Sequence, residues 1–409
     1  MTDKTENLKD TKLMSNQWDS IDWSKVEHDV NRLQTRIAKA TANEDFNKAK
    51  RLQYLLTHSF FAKAYAVRKV TTNKGKNTSG IDKRLWSTSA SKMKAVLSLT
   101  DKHYRAKPLK RVYIAKKGKN KKRPLGIPTM YDRAMQTLYA LALEPIAETK
   151  ADTISFGFRR GRSAKDACEQ IFCVLARKCS PTWILEGDIK GCFDNINHDW
   201  LQSNIPMDKR IMKQFLKSGF IYEGKLFPTE TGSPQGGAIS SLYANMTLDG
   251  LEKVIQDKYH RNSKGNIENH YRAKTKVNLV RYADDFIITA NSRETAEELK
   301  LIVSTFLESR GLMLSEEKTT ISHIDEGFDF LGWTFRKFKG KLIVKPSKSS
   351  IKSLIKKCSS IILKEGKAST QSDLIRRLNQ VIRGWTNYHK HVVASQAFSY
   401  ANNTLYHLL

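Results

Sequence analysis

Long apolar runs, paired cysteines and acidic side chains are what this chain has least of. No uninterrupted apolar stretch approaches the roughly 20 residues that a membrane span requires, and the opening MTDKTENLKD is polar where a secretion signal is apolar. Both features imply a soluble protein. The five cysteines, Cys168, Cys173, Cys179, Cys192 and Cys358, are odd in number and contain no Cys-x-x-Cys pair. No disulfide framework or zinc ribbon can be read from them, and a reducing cytosol fits. The ten histidines form no metal-ligand spacing, so His58, His198 and His389 read as structural or surface residues. Acid is scarce beside base: Asp+Glu 41 against Lys+Arg 71 gives a net charge of +30 and a pI near 9.8. Nucleic acid is the expected partner of such a balance, since a membrane surface would also need an amphipathic anchor. What is present is enough for a core: 409 residues, 40% of them hydrophobic, suffice for two or three domains.

Two stretches place acid among apolar residues. In KVNLVRYADDFIIT, residues 276–289, β-branched and apolar residues flank Asp284 and Asp285. That pattern predicts two short strands joined by a tight turn that carries two carboxylates. Adjacent aspartates are good turn chemistry in themselves, yet on a rigid tip they repel unless a cation lies between them, which points to a divalent metal. A second acidic stretch, WILEGDIKGCFDNI at 183–196, runs as a buried strand into Asp188, with Asp194 six residues on. A carboxylate at a strand end facing a carboxylate pair makes an oxygen-rich site for Mg²⁺. Two such ions can activate an attacking oxygen and stabilise a leaving one in phosphoryl transfer.

These two stretches, with TGSPQGGAISS at 231–241 between them, resemble in order the palm motifs of reverse transcriptases, in particular those encoded by bacterial and organellar group II introns. The resemblance implies an α+β right-hand polymerase, with fingers and palm of antiparallel sheet plus helices and a C-terminal helical thumb or maturase domain. The expected boundaries are a disordered lead at 1–22, a helical extension with a template loop at 23–82, fingers and palm at 83–340, and the thumb at 341–409. It further implies Asp188, Asp284 and Asp285 as ligands of two Mg²⁺ ions, with the Ile189 carbonyl beside them. Asp194 lies beyond the ligand position and suits a cap.

Taken along the chain, Val26, Val30, Leu33, Ile37 and Ala40 repeat with helical spacing, and Leu52, Leu55, Leu56 and Phe60 continue the pattern. The interleaved bases are a solvated face or a contact with RNA backbone. TTNKGKNTSGID at 71–82 must be a loop; it resembles the family's template loop, with Lys74 and Lys76 suited to phosphates. Strand-like RVYIAKK leads into the basic turn 116–123, where Lys116 and Arg123 match the family's triphosphate-binding pair. Residues 133–146 read as a core helix. SFGFRRGRSAKDACEQI at 155–171 interleaves aromatic and basic residues before a capped helix. Phe156 and Phe158 suit inward packing, while Arg159, Arg160 and Arg162 facing out would grip a template backbone.

The resemblance also places Phe193 where a ring excludes a ribose 2′-OH, Gln235 and Gly236 against the templating base and nucleotide, and Lys318 near the nucleotide or in the palm core. FDFLGWTF at 328–335 resembles the primer-grip hairpin, with Leu331, Gly332 and Trp333 at its turn. From 345 onward two apolar stripes, Ile351 to Ile362 and Leu374 to Ile382, make a basic helical region, and RGWTNYH at 383–389 resembles the maturase region. No cysteine pairs of the family's zinc-dependent endonuclease are present.

The activity expected is RNA-directed DNA polymerisation from dNTPs on an RNA template with a DNA or RNA primer, joined to splicing-maturase binding of group II intron RNA. The expected setting is the bacterial cytoplasm, or the nucleoid when a DNA target is engaged. A protein that is mainly an RNA-binding maturase, or a domesticated reverse transcriptase in antiphage defence, is the alternative. A nucleotide cyclase on a related palm would share the carboxylates but explains neither the basic charge nor the thumb. Oligomeric state stays open.

Overall fold

The structure is a computed structural model that describes residues 2–115, 122–262, 264–268 and 275–409, with side chains from residue 9 onward. Its strands run in chain order β1 (Leu109–Ala115), β2 (Lys122–Ile127), β3 (Trp183–Asp188), β4 (Phe220–Tyr222), β5 (Lys225–Phe227), β6 (Asn278–Tyr282), β7 (Asp285–Ala290), β8 (Thr320–His323), β9 (Phe328–Phe330), β10 (Trp333–Phe338) and β11 (Lys341–Pro346). With the helices between them they form a mixed α+β chain. It divides into two compact units, neither of them continuous in sequence. One comprises Met1–Asp152, Ile189–Gly250 and Phe306–Met313; the other comprises Thr153–Asp188, Leu251–Thr305 and Leu314–Leu409. Boundaries drawn at 83 and 341 do not coincide with these units, because sheet pairing recruits strands from distant stretches of chain.

In the first unit, helices Trp23–Ala42, Phe46–His58 and Phe60–Thr72 pack against helix Met130–Lys150. Val30, Ile37, Leu52, Leu56, Leu138 and Ile146 meet in one core, where each such burial contributes about 1.5–3 kcal/mol. Asp22 starts the first of these helices by accepting from the Ser24 and Lys25 amides, a cap worth about 1 kcal/mol. The predicted stripe breaks after Leu56. Ser59 is extended and resets the helical phase, so Leu55 (53%) and Phe60 (39%) are exposed. The N-terminal lead, expected to be disordered, carries helix Thr2–Asp19. Its end is anchored by buried Trp18, which meets Trp23 edge-on at 5.0 Å, and by the Ser89 hydroxyl donating to Asp19. A polar composition hides how much one indole can hold.

The same unit carries the sheet β2-β1-β4-β5. In the second unit the sheet order is β6-β7-β3-β8, all antiparallel, with β9, β10 and β11 forming a separate meander. β3 runs through the middle of its sheet, which is why Ile184 and Leu185 are both fully buried. The core beneath combines Ile184, Val280 and Ile287 with Phe328, Trp333 and Phe335 from the meander. Further on, helices Lys348–Ser360, Gln371–His389 and Ser395–Tyr406 close over Leu354, Cys358 and Leu378, from the two stripes read from the sequence, and Leu405, which lies beyond them. Among the described residues no helix is long and apolar enough to cross a membrane.

Candidate active site

Antiparallel pairing sets Asp188, the last residue of β3, directly across from Asp285, the first of β7. Tyr282 pairs with Asp285 in turn, so Ala283 and Asp284 form a two-residue hairpin tip, with Ala283 in the left-handed region at φ 57°. The strand end of one stretch and the turn of the other thus bring the three aspartates to one edge of the sheet. Two glycines permit this. Phe286 lies so close over Gly187 that a Cβ there would fall 2.1 Å from its ring, and a Cβ on Gly157 would fall 2.4 Å from the Ala283 amide nitrogen.

Gly157 belongs to the 155–162 stretch, which is tied to β6 by Phe156 N–H donating to the Arg281 carbonyl and Arg281 N–H donating to that of Ile154. Phe156 packs inward as expected. Phe158 does not: it takes a left-handed φ of 59° and stays 59% exposed. Arg159 donates to the Ser155 carbonyl at 2.9 Å and Arg162 to that of Thr153 at 2.8 Å, so both guanidiniums brace their own loop, while Arg160 is exposed. Of the three arginines expected to face out, Arg160 is exposed and Arg159 and Arg162 are half-buried.

Electrostatics at the sheet edge are loaded with like charge. Burial first, then Asp284 and Asp188, push the Asp285 carboxyl up to about 6, and Lys318 works in the opposite direction. The Lys318 ammonium reaches Asp188 Oδ2 at 2.5 Å. Three carboxylates are the hard oxygen donors that Mg²⁺ takes, and their mutual repulsion is what a divalent ion relieves. The set therefore fits Mg²⁺ in donor type and charge. Among the described residues no three His, Cys, Asp or Glu side chains already converge as a ligand cluster, and the ammonium supplies the positive charge at Asp188.

The other unit gathers a different group. Phe193 lies half-buried in the short helix Cys192–Asn195, and its carbonyl accepts from the Ser233 amide at 2.7 Å. Gly232, at φ 80°, approaches the Asp194 carbonyl so closely that no side chain would fit. Gly126 of β2 donates to the Gln235 carbonyl at 2.9 Å, and Gly236 adopts φ 109° beside it. The strand bearing exposed Arg123 is thus hydrogen-bonded to the Gln235 and Gly236 loop, which leans on the element carrying Phe193. Lys116 lies outside the described residues. Ile189, directly after Asp188, is buried.

Lys74 and Lys76 are exposed on their loop. Sequence reasoning missed what shapes it. Buried Arg133 donates to the carbonyls of Pro128, Gly75 and Thr78, and Gly80 presses on the Thr129 backbone. Missed as well were Gln136, whose Oε1 accepts from the Ala238 amide, and Glu186, one pleat behind Asp188 on the same strand face. Burial pushes the Glu186 carboxyl up to about 7, with the Thr320 hydroxyl opposing and Asp329 adding to the rise. No signal in one sequence separates these polar residues from solvated ones.

At the β9–β10 hairpin, Leu331 (φ 50°) and Gly332 (φ 86°) form a two-residue turn of the kind that matches strand twist. Trp333 is fully buried and stacks on Tyr388 at 4.5 Å and 5°, while the Tyr388 hydroxyl donates to the Leu331 carbonyl at 2.8 Å. Trp333 is therefore a brace under the turn that Leu331 and Gly332 form. His58, His198 and His389 all bond to protein groups, Asp101, the Gly232 carbonyl and Ser350 respectively.

Comparison with known proteins decides the family. Residues 114–335 match the model of reverse transcriptase (RNA-dependent DNA polymerase), residues 18–99 that of the N-terminal domain of reverse transcriptase, and residues 351–409 that of the group II intron maturase-specific domain. This chain belongs to the group II intron reverse transcriptase/maturase family. Group II intron-encoded protein LtrA from Lactococcus lactis subsp. cremoris is 35% identical over 340 residues, 69% of this chain and 56% of its own length. Protein YkfC from Escherichia coli is 30% identical over 74% of this chain and 87% of its own. Maturase-like protein 1 from Euglena gracilis is 24% identical over 90% and 76%. This group II-type chain thus spans little more than half of LtrA and most of YkfC.

Proposed function

We propose that this group II-type reverse transcriptase extends a DNA or RNA primer with dNTPs on an RNA template, and binds group II intron RNA as a splicing maturase. The observation that carries the reading is the ladder pairing of Asp188 with Asp285, beside a turn that bears Asp284. Asp188, Asp284 and Asp285, with the Ile189 carbonyl, would hold two Mg²⁺ ions. When bound, these supply Lewis-acid charge for attack of a primer 3′-oxygen on an α-phosphate and for departure of pyrophosphate.

The chain's own groups do the rest. Arg123 would take triphosphate charge, with Lys116 as its expected companion, and Lys318 would serve near the nucleotide. Gln235 and the Gly236 backbone would lie along the templating base, and the Phe193 ring would crowd a 2′-substituent. Leu331, Gly332 and Trp333 would bring backbone close to the primer end, while Lys74, Lys76, Arg159, Arg160 and Arg162 would meet template phosphates. The domain limits at 23, 83 and 341 describe these tasks, and the basic helical region after 341 would serve as thumb and intron-RNA contact.

Replacing Asp284 with Asn tests the reading. Primer extension on an RNA template should vanish while protein-dependent splicing of a cognate intron RNA persists. Loss of both together would sink the division between polymerase and maturase work.

A further inference from the structure

A cavity of about 550 Å³ lies in the first unit, apart in sequence from Asp188, Asp284 and Asp285. It is bounded by residues 82–107 and by the start of helix Met130–Lys150. Its size is within the roughly 300–1,000 Å³ of small-ligand sites.

Its lining is unlike a structural gap. Arg84, Lys94, Lys102 and Arg105 all border it, are exposed, and form no side-chain hydrogen bond or ion pair among the described residues. Two carboxylates also border it: Asp132 is already committed, the Tyr104 hydroxyl donating to one oxygen at 2.7 Å and the Thr129 hydroxyl to the other at 2.6 Å, and Asp82 accepts from the Arg84 amide at 3.3 Å. With Lys107, five cations border the space against these two carboxylates, so net positive charge faces it. Trp86 is half-buried on its wall, and its ring stacks on no aromatic or cationic group among the described residues.

The frame is also rigid. The Tyr131 hydroxyl donates to the Ser98 carbonyl and accepts from the Thr100 amide, while Arg210 grips Asp101 through both its carbonyl and its carboxylate. A fixed concavity with one unoccupied indole face and several unpaired cations is complementary to a flat aromatic base that carries phosphate.

We infer that this cavity binds a single-stranded RNA, seating one unstacked base against Trp86 with its flanking phosphates on Lys94 and Arg105. The inference rests on the chain's reading as an RNA-binding enzyme, but its test requires neither metal nor dNTP. It can therefore fail while polymerisation stands, and the reverse. A free nucleotide offers one base and one phosphate, where the oligonucleotide offers a base flanked by two.

The test uses the full chain and a twelve-residue oligouridylate carrying 4-thiouridine, with affinity measured across salt and crosslinked peptides identified by mass spectrometry. Crosslinks are expected within 82–107. Trp86→Ala should weaken binding about fivefold or more and lose those crosslinks, while Trp86→Phe stays within about twofold, because a phenyl face still stacks. Lys94→Ala with Arg105→Ala should lower the slope of log affinity against log salt by about 1.4, two single-strand phosphates' worth. Unchanged slope and affinity in variants with wild-type Tm, or crosslinks confined elsewhere, would overturn the assignment. So would displacement of the oligonucleotide by uridine 5′-monophosphate at concentrations near the oligonucleotide's own Kd.

Discussion

Lys318 holds its ammonium 2.5 Å from Asp188 Oδ2, at the strand end that faces Asp285. One side chain thus partly neutralises an edge where three carboxylates repel. If Mg²⁺ binds there, it must compete with that ammonium for the same oxygen.

Lys318→Met should accordingly sharpen the response to the metal. Half of it is exposed, and such a pair is worth at most about 1 kcal/mol. The Mg²⁺ concentration giving half the thermal stabilisation should fall by no more than about fivefold, read from Tm against Mg²⁺ in both proteins. An unchanged midpoint would mean that ammonium and metal do not share Asp188.

Gly157→Ala should disturb the aspartate turn from outside it. The added methyl would lie 2.4 Å from the Ala283 nitrogen, a backbone atom that cannot swing aside. Overpacking of this kind costs about 1–3 kcal/mol, and a displaced Asp284 should reduce primer extension tenfold or more. Chemical denaturation and single-turnover extension measured together would distinguish this from mere unfolding, since the rate should fall even where the protein remains native.

Sugar selection gives a third handle. Phe193→Val removes a half-buried ring without touching the backbone carbonyl that receives Ser233. Ribonucleotide incorporation should rise at least tenfold relative to dNTP incorporation, chiefly through KM. A ratio that stays put in matched incorporation assays would remove Phe193 from the nucleotide site.

The fourth prediction concerns pH. Burial, then the neighbouring His391, pushes the His389 imidazole down to about 4. The unfolded chain takes up that proton near 6.5 whereas the folded chain refuses it until near 4. Stability from this residue is thus complete above pH 6.5 and is lost as the pH falls through that window. Wild-type Tm should therefore drop more steeply between pH 7 and 5 than that of His389→Gln, by a few degrees. Parallel Tm curves for the two proteins would show that the buried imidazole is not the cause.

Which parts of this were legible in sequence follows from what each element depends on. Strand β3 and the Asp284 turn were readable because apolar runs and turn residues are local signals. The helical stripes from Val26 and Ile351 were readable for the same reason. The hydrogen bonds of Arg159 and Arg162 were not legible because a guanidinium that bonds its own loop has the same letter as one awaiting phosphate. The burial of Trp333 was not legible because it comes from Tyr388, fifty-five residues away. Arg133 and Gln136 were invisible, since their partners are carbonyls and amides that every residue possesses. Helix Thr2–Asp19 escaped notice because composition averages away a single anchoring indole.

Arg133 leaves a consequence for how such a protein changes over time. The path of the 73–80 segment is written by a guanidinium that belongs to a distant helix and holds the segment through main-chain oxygens alone, those of Gly75 and Thr78. Its outward residues, Lys74 and Lys76 among them, are released from any duty to hold shape. They are free to be rewritten for a new nucleic-acid surface, with the scaffold indifferent to the edit.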